Sequence, residues 1–283
     1  MEEIIQYFAT IPSSHRSIIL LGGLTLGFSI ESIIPMFRFR FNRWKHAGIN
    51  LFFTFTTVLI NFIFAFIILE LSTYLSNNKW GLLYLTELNP WLFMIVGLLG
   101  LDLFGAWLAH FMEHKVRWMW MFHLVHHTDP GVDATTANRH HPGESLIRVF
   151  FTILGITIMG APMWLIMLYQ SLSVVLSQFN HMNIQMPKLL DRAISLIIVS
   201  PDMHKVHHHY KLPYTNTNYG NIFSFWDRMF GCFAEVKNCK KDLIYGLDTF
   251  PAKNEHSNIG SMLAMPFKKY RAPRTDEPVE IEQ

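Results

Sequence analysis

Long apolar runs constrain this chain more than any other feature of its sequence. A hydrocarbon core about 30 Å thick is crossed by roughly 20 apolar residues in a helix, whose backbone groups are satisfied within the segment itself. Residues 17–37 and 47–69 each supply such a run, and a third extends from about Pro90 to Ala109. Residues 146–179 are too many for one untilted helix and are interrupted at "MGAPM", around Gly160 and Pro162, which predicts two helices joined by a tight turn. The expected fold class is therefore all-α and integral to a membrane, with about four to five membrane-spanning or membrane-embedded helices. Composition agrees: 51% of the 283 residues are hydrophobic and only 16% are charged, which is too oily for a soluble domain of this length.

Charge orients the spans. Arg38, Arg40, Arg43 and Lys45 crowd the connection between the first two runs, whereas the loop after the second carries Glu70, Lys79 and Glu87. The excess of Lys and Arg places the first loop in the cytoplasm. The third span then returns there near His110, and a hairpin over 146–179 starts and ends on the same side. Segments 110–145 and 181–283 are thereby expected to share one compartment as a cytoplasmic, His-rich helical cap. The membrane is the bacterial inner membrane, or the endoplasmic reticulum in a eukaryote. Cys232 and Cys239 form neither a C-x-x-C pair nor a secreted disulfide framework, which fits a reducing side. A net charge of +2, without a basic patch, argues against nucleic acid as a partner. The opening "MEEIIQYFATIPSSHR" is acidic where a signal peptide is basic, so no cleavage is expected. The division expected is an N-terminal segment 1–16, a single membrane-embedded domain 17–265, and a polar, proline-containing tail 266–283 without order.

Fifteen histidines stand out against this apolar background, and all but His15, His46 and His256 lie between His110 and His209. "HFMEH" puts His110 and His114 at i and i+4 on one helix face. "HLVHH" puts His123, His126 and His127 within an arc of about 100°. "HKVHH" repeats that geometry with His204, His207 and His208, after Ser200 as an N-cap and Pro201 at the first helical position. His141 in "NRHHPGE" and His181 in "FNHMN" stand between the boxes. A lone histidine near a membrane is usually an amphipathic surface residue, but two H-x-x-H-H boxes and one H-x-x-x-H point to metal. A structural zinc closes with four ligands. Ten converging imidazoles suffice for two metals: His110, His114, His123, His126, His127, His141, His181, His204, His207 and His208. Imidazole accepts zinc, copper, nickel or iron, and sulfur-free ligation with open positions suits iron that binds dioxygen. On a helical wheel zeroed at His204, His207 and His208 share one face with it, whereas His209, a further residue round, is rotated off the ligand face.

The order "HFMEH", "HLVHH", "NHMN", "HKVHH", followed by "NYGNIFSFWDRMFG", resembles the fatty acid hydroxylase and sterol desaturase superfamily of integral-membrane di-iron oxygenases over about residues 95–235. "HHTDPGVDATTANRHHPGE" is most similar to its bacterial sterol-desaturase-like branch, and the ending also resembles the alkylglycerol monooxygenases. The resemblance implies two iron ions, dioxygen, and two electrons used to hydroxylate or desaturate a membrane lipid: a sterol, fatty acyl or ether lipid. Some relatives carry a fused haem domain with an H-P-G-G motif. Here only His141-Pro142-Gly143-Glu144 occurs, within the metal region, so the electron donor is expected to be a separate protein or reductant. The related pattern has an aromatic residue before its His-Pro pair, which assigns the ligand role to His141 and leaves His140 spare. The rival from another class is a His-rich membrane metal transporter or sensor without redox chemistry. It expects ligands along a path near the bilayer midplane, where only Asp102 and Glu31 lie.

Asp102, in the third span, is the first candidate to orient a ligand, since it sits about 80° round an α-helix from His110 and can accept an imidazole N–H. Asn180, Asp202 and Asp227 are further candidates. Glu31 has nothing in the sequence to tie it to the histidine boxes.

Overall fold

The computed structural model describes residues 1–39, 41–235 and 243–273. A short helix α1 (Glu2–Ala9) precedes α2 (Ser13–Ile33) and the long α3 (Arg43–Asn77). The third rod consists of α4 (Pro90–Leu101), a π-helical segment Asp102–Trp107, and α5 (Leu108–Lys115). Then come α6 (Arg117–His127), α7 (Pro142–Met159), α8 (Met163–His181), α9 (Lys188–Ile194), α10 (Pro201–His207), α11 (Phe225–Met229), α12 (Lys253–Ser257) and α13 (Ile259–Ala264). Among the described residues there is no strand, only isolated bridges such as His209 with Tyr245. Four helical stretches are long and apolar enough to cross a membrane: Ser13–Ile33, Arg43–Tyr84, Pro90–Lys115 and Pro142–Met159.

The starts of these rods follow from local sequence. Asn42 and Asn89 accept backbone N–H groups of the first turns of α3 and α4, and Pro90 fills the first position of α4. Gly160 ends α7 in the left-handed conformation, at φ 71°, with the Trp80 carbonyl against its Cα where any side chain would collide. Ser72 Oγ donates to the Ala161 carbonyl at 2.8 Å, so the expected turn at "MGAPM" is seated on the end of α3.

The outer rods are apolar outward: Leu21, Leu26, Phe55, Phe62, Ile63 and Phe66 are all exposed. Water would penalise that surface at about 25 cal/mol per Å², whereas lipid accepts it. Inside, α7 packs on α3 and on the π segment. Gly105 and Gly155 mark the crossing with the π segment, where a Cβ on Gly155 would lie 3.1 Å from the Gly105 nitrogen. A core of Ile68, Leu75, Leu101, Ile156, Leu165 and Ile166 fills the membrane half. A second core joins the start of α3 to α6 and the C-terminal segment through Phe53, Leu124, Phe250, Met262 and Met265. Of the tail expected from residue 266, residues 274–283 lie outside the described part, as does Cys239. Arg271, nearer the core, pairs with Glu255 at 2.9 Å.

Candidate metal centre

Four helices bring their ends to one buried point. His110 and His114 come from α5; His123, His126 and His127 from the end of α6; His181 is the last residue of α8; His204 and His207 sit on α10, with His208 as its C-cap. They sort into two groups. His110, His114, His123, His127 and His207 bring one nitrogen each within 4.8 Å of one another, and His126, His181, His204 and His208 do the same. The groups abut, with the rings of His127 and His208 stacked at 4.8 Å. The H-x-x-H-H box of α10 is thus shared: His204 and His208, one turn apart, serve one group, and His207 serves the other.

Whether these residues fit a metal can be read from their nitrogens. Nitrogens about 2.0–2.1 Å from one metal stand about 3.0–3.4 Å apart across octahedral to tetrahedral angles. In the second group the Nε2 atoms of His204 and His181 are 3.1 Å apart, and those of His126 and His181, His208 and His181, and His208 and His204 are each 3.2 Å apart. His181 donates its Nδ1–H to the Ser177 carbonyl at 2.7 Å, which turns its Nε2 lone pair toward the other three nitrogens at the spacing that ligands of one cation take. In the first group the Nε2 atoms of His110, His114 and His207 are buried with no hydrogen-bond partner. Their Nδ1 atoms are held from behind: His110 by the Tyr219 carbonyl at 2.8 Å, His207 by the Thr217 carbonyl at 2.7 Å and His114 by Asn216 Oδ1 at 3.2 Å. This fixes the tautomer that turns the Nε2 lone pair inward. Burial and neighbouring imidazoles push His127, His204 and His208 well below the ordinary histidine range, which keeps them neutral and able to ligate. Burial also lowers His123 to about 4, against the opposing pull of the Glu144 carboxylate.

The structure brings nine of the ten expected histidines together; the tenth, His141, stands apart. Its Nδ1 caps α7 by accepting from the Gly143 N–H at 2.9 Å, and its Nε2 lies 3.2 Å from the Leu263 carbonyl. His140 is the one turned inward, with its ring stacked on His126 at 5.0 Å and its Nδ1 2.6 Å from Glu144 Oε1. The physical reason is the helix start: the residue before Pro142 adopts extended backbone and becomes the N-cap, aiming its side chain back along the helix. His209 belongs to neither group and accepts from the Lys211 N–H at 3.2 Å.

Asp102 does not touch an imidazole. It accepts from the Ile222 and Phe223 N–H groups, Trp226 Nε1 and the Tyr169 hydroxyl. The angular offset expected between Asp102 and His110 assumed a continuous α-helix, and the π segment starting at Asp102 breaks that register. Asp227 acts at one remove: it accepts from the Tyr219 and Gly220 N–H groups and Trp107 Nε1, fixing the carbonyl that holds His110. Asn180 donates to the Asn221 carbonyl and Asp202 accepts from Lys205, so neither orients a histidine.

Glu144 is among the acidic and amide residues that the sequence offers as orienters of a ligand; sequence reasoning missed Glu113 and the parts played by Glu31 and His46. Glu113, inside "HFMEH", is fully buried and shares Arg148 with Glu144, at 2.8 and 3.1 Å. Glu144 in turn accepts from His123 Nδ1 at 2.7 Å. Glu31, in the first span, accepts from the Ala134 and Asn183 N–H groups at 2.8 Å each, tying down the two loops that flank the second group. His46 braces the first of those loops through Asp129 at 2.8 Å. An ionisable residue inside a span is the available signal for Glu31, but its partners are set by tertiary contact alone.

Comparison with known proteins agrees with this geometry. The chain is 27% identical over 144 residues to the ornithine lipid hydroxylase OlsE of Rhizobium tropici, a match covering 51% of this chain and 43% of the relative. It is 32% identical over 165 residues to cholesterol 25-hydroxylase-like protein 1, member 2, of Danio rerio, covering 55% and 57%. To the alkylglycerol monooxygenase of Homo sapiens it is 29% identical over 185 residues, covering 63% and 38%. The matches thus span about two fifths to three fifths of these relatives' lengths. No solved structure matches the chain. Residues 94–232, the stretch that supplies every histidine of both groups, match the family described as fatty acid hydroxylase.

Proposed function

We propose that this chain is a non-haem di-iron oxidoreductase that uses dioxygen to hydroxylate, or by a second hydrogen abstraction to desaturate, a C–H position of a membrane lipid. The observation that carries this reading is the pair of abutting all-imidazole groups, five and four strong, buried at the end of apolar helices. Nitrogen ligands without sulfur suit iron, and an apolar substrate drawn from the bilayer suits the location. The relatives' names, an ornithine lipid, a cholesterol-like and an alkylglycerol substrate, support a lipid as the class acted upon.

His110, His114, His123, His127 and His207 would hold one iron, and His126, His181, His204 and His208 the other. Two irons there supply dioxygen binding and reduction and the abstraction of hydrogen from an unactivated carbon. The chain's own contribution is different in kind. Tyr219, Thr217, Asn216 and Glu144 hold the Nδ1 side of four ligands, so each lone pair is aimed before metal arrives. Burial of the ligands, all but His114 closed off from solvent, keeps bulk water from most of the site, and the Glu113–Arg148–Glu144 cluster keeps two carboxylates beside it without joining either group. Positive charge in the loop between α2 and α3 supports a cytoplasmic site, and the electrons come from a separate donor.

Anaerobic purification followed by metal analysis tests the centre: near two irons per chain are expected. Lipid mass spectrometry of cells with and without the chain tests the reaction, through gain of one oxygen or loss of two hydrogens. Freely exchanging zinc with no lipid change would overturn the proposal.

A further inference from the structure

Hydroxylation by dioxygen consumes two electrons and two protons: the C–H bond is replaced by C–O, and the second oxygen leaves as water. The electrons have to cross from a donor outside the chain to a centre whose ligands, His114 excepted, are buried. A cavity of about 110 Å³ touches that centre at His114 and is lined also by Trp120, Asn216, Asp248, Tyr270 and Arg271. Trp120, one of the lining residues, is partly exposed and packs its ring against three histidines of the first group. The ring centroids are 4.8 Å from His114, 5.3 Å from His127 and 6.0 Å from His123. The other indoles near the site are committed elsewhere: Trp107 donates to Asp227 and Trp226 to Asp102. Trp118, one half-turn away on α6, points outward and is 57% exposed.

Resting on the di-iron reading, we propose that Trp120 is the bridge through which an external one-electron carrier, making contact at the cavity beside it, reduces the first metal group. The indole offers a continuous π-surface from the cavity to two ligands at once. Those ligands are fixed in register with it, because His114 and His127 are held by α5 and α6 and the Trp120 backbone belongs to α6. The cavity walls, Tyr270 with the Arg117 guanidinium 4.8 Å over its ring, and Arg271, are polar enough to be wetted.

The experiment is anaerobic stopped-flow reduction of the iron-loaded full chain by dithionite, scored per bound iron, for the wild type and for Trp120→Phe, Trp120→Met and Trp118→Leu. Trp120→Met removes the π-system while filling much of the space, and should slow reduction by about tenfold, equivalent to about 1.4 kcal/mol on the barrier. Trp120→Phe should retain most of the rate, and Trp118→Leu all of it. After complete reduction, a single exposure to dioxygen should give the same product per iron in all four proteins, because the bridge acts before the chemistry. Scoring per iron keeps the comparison valid if Trp120→Met loads less metal. Equal reduction rates for wild type and Trp120→Met would overturn the bridge, as would a change confined to product yield, which would mark the cavity as a substrate entrance. A wild type that takes up no electrons would instead refute the di-iron reading, and the bridge with it.

Discussion

Replacing His208 by Ala, compared with the same change at His209, tests the ligand set where two neighbouring histidines have opposite fates. His208 contributes one of four Nε2 atoms in the second group, 3.2 Å from those of His181 and His204. Four-ligand structural metal sites bind with about 10–16 kcal/mol, so each ligand of four is worth about 2.5–4 kcal/mol. At about 1.4 kcal/mol per decade, His208→Ala should weaken the second site by about 10²- to 10³-fold. The first group keeps all five imidazoles, so metal content should fall toward half. Turnover should be abolished, because ligands of one centre act as a unit. His209 is placed otherwise: it accepts from the Lys211 N–H and packs edge-to-face against Tyr214 at 5.2 Å. Its loss should cost about 1 kcal/mol of stability and leave both metals bound. The assay is iron per chain after titration with a competing chelator, alongside product formation. Equal metal loss in the two variants would refute the assignment and require the C-terminal turn of α10 to be unwound in the loaded protein.

His141→Ala should keep both metals and lower stability by about 0.5–2 kcal/mol, the worth of an N-cap, as read by thermal unfolding in detergent; loss of a metal would return His141 to the ligand set. Tags in the loop at 38–46 and after Gln283 should be on one side of the membrane, and a tag at residue 77 on the other, in protease-protection experiments on oriented vesicles; residues 77 and 283 on the same side would break this topology. For the metal-stripped chain the pH dependence follows from His123, whose folded value of about 4 lies below the ordinary 6.5. Between those values the unfolded chain binds a proton that the folded chain does not, so the His123 contribution to stability should be full above about pH 6.5 and be lost as pH drops toward about 4. Denaturant titrations of the apo-protein at several pH values check this, and a flat profile across that window contradicts the buried, neutral state of His123.

The spans and the convergence of nine histidines were legible because both depend on patterns that survive without tertiary detail. An apolar run long enough to cross a bilayer has few alternatives, and i, i+3, i+4 spacing aligns ligands on any α-helix. What was not legible depends on departures from ideal geometry or on distant partners. Asp102 was aimed at His110 by α-helical arithmetic that the π segment invalidates. His141 and His140 exchange places because the backbone before Pro142 leaves the helix, something a motif position does not encode. The sharing of one H-x-x-H-H box between two metal groups, and the carboxylate cluster around Arg148, arise only when α5, α6, α7 and α10 meet.

The Glu31 carboxylate, which accepts from Ala134 and Asn183, and the His46 contact to Asp129 have a consequence for where this protein can be divided. Both staples come from upstream of residue 94, outside the family-matched region, yet they close loops on which the second histidine group depends. A fragment cut to 94–232 would hold every histidine of both groups and still lack the two side chains that fasten those loops. The first two rods are therefore part of the architecture that positions the histidine groups, and transplanting the histidine region onto another anchor requires carrying Glu31 and His46, or substitutes in the same places, along with it.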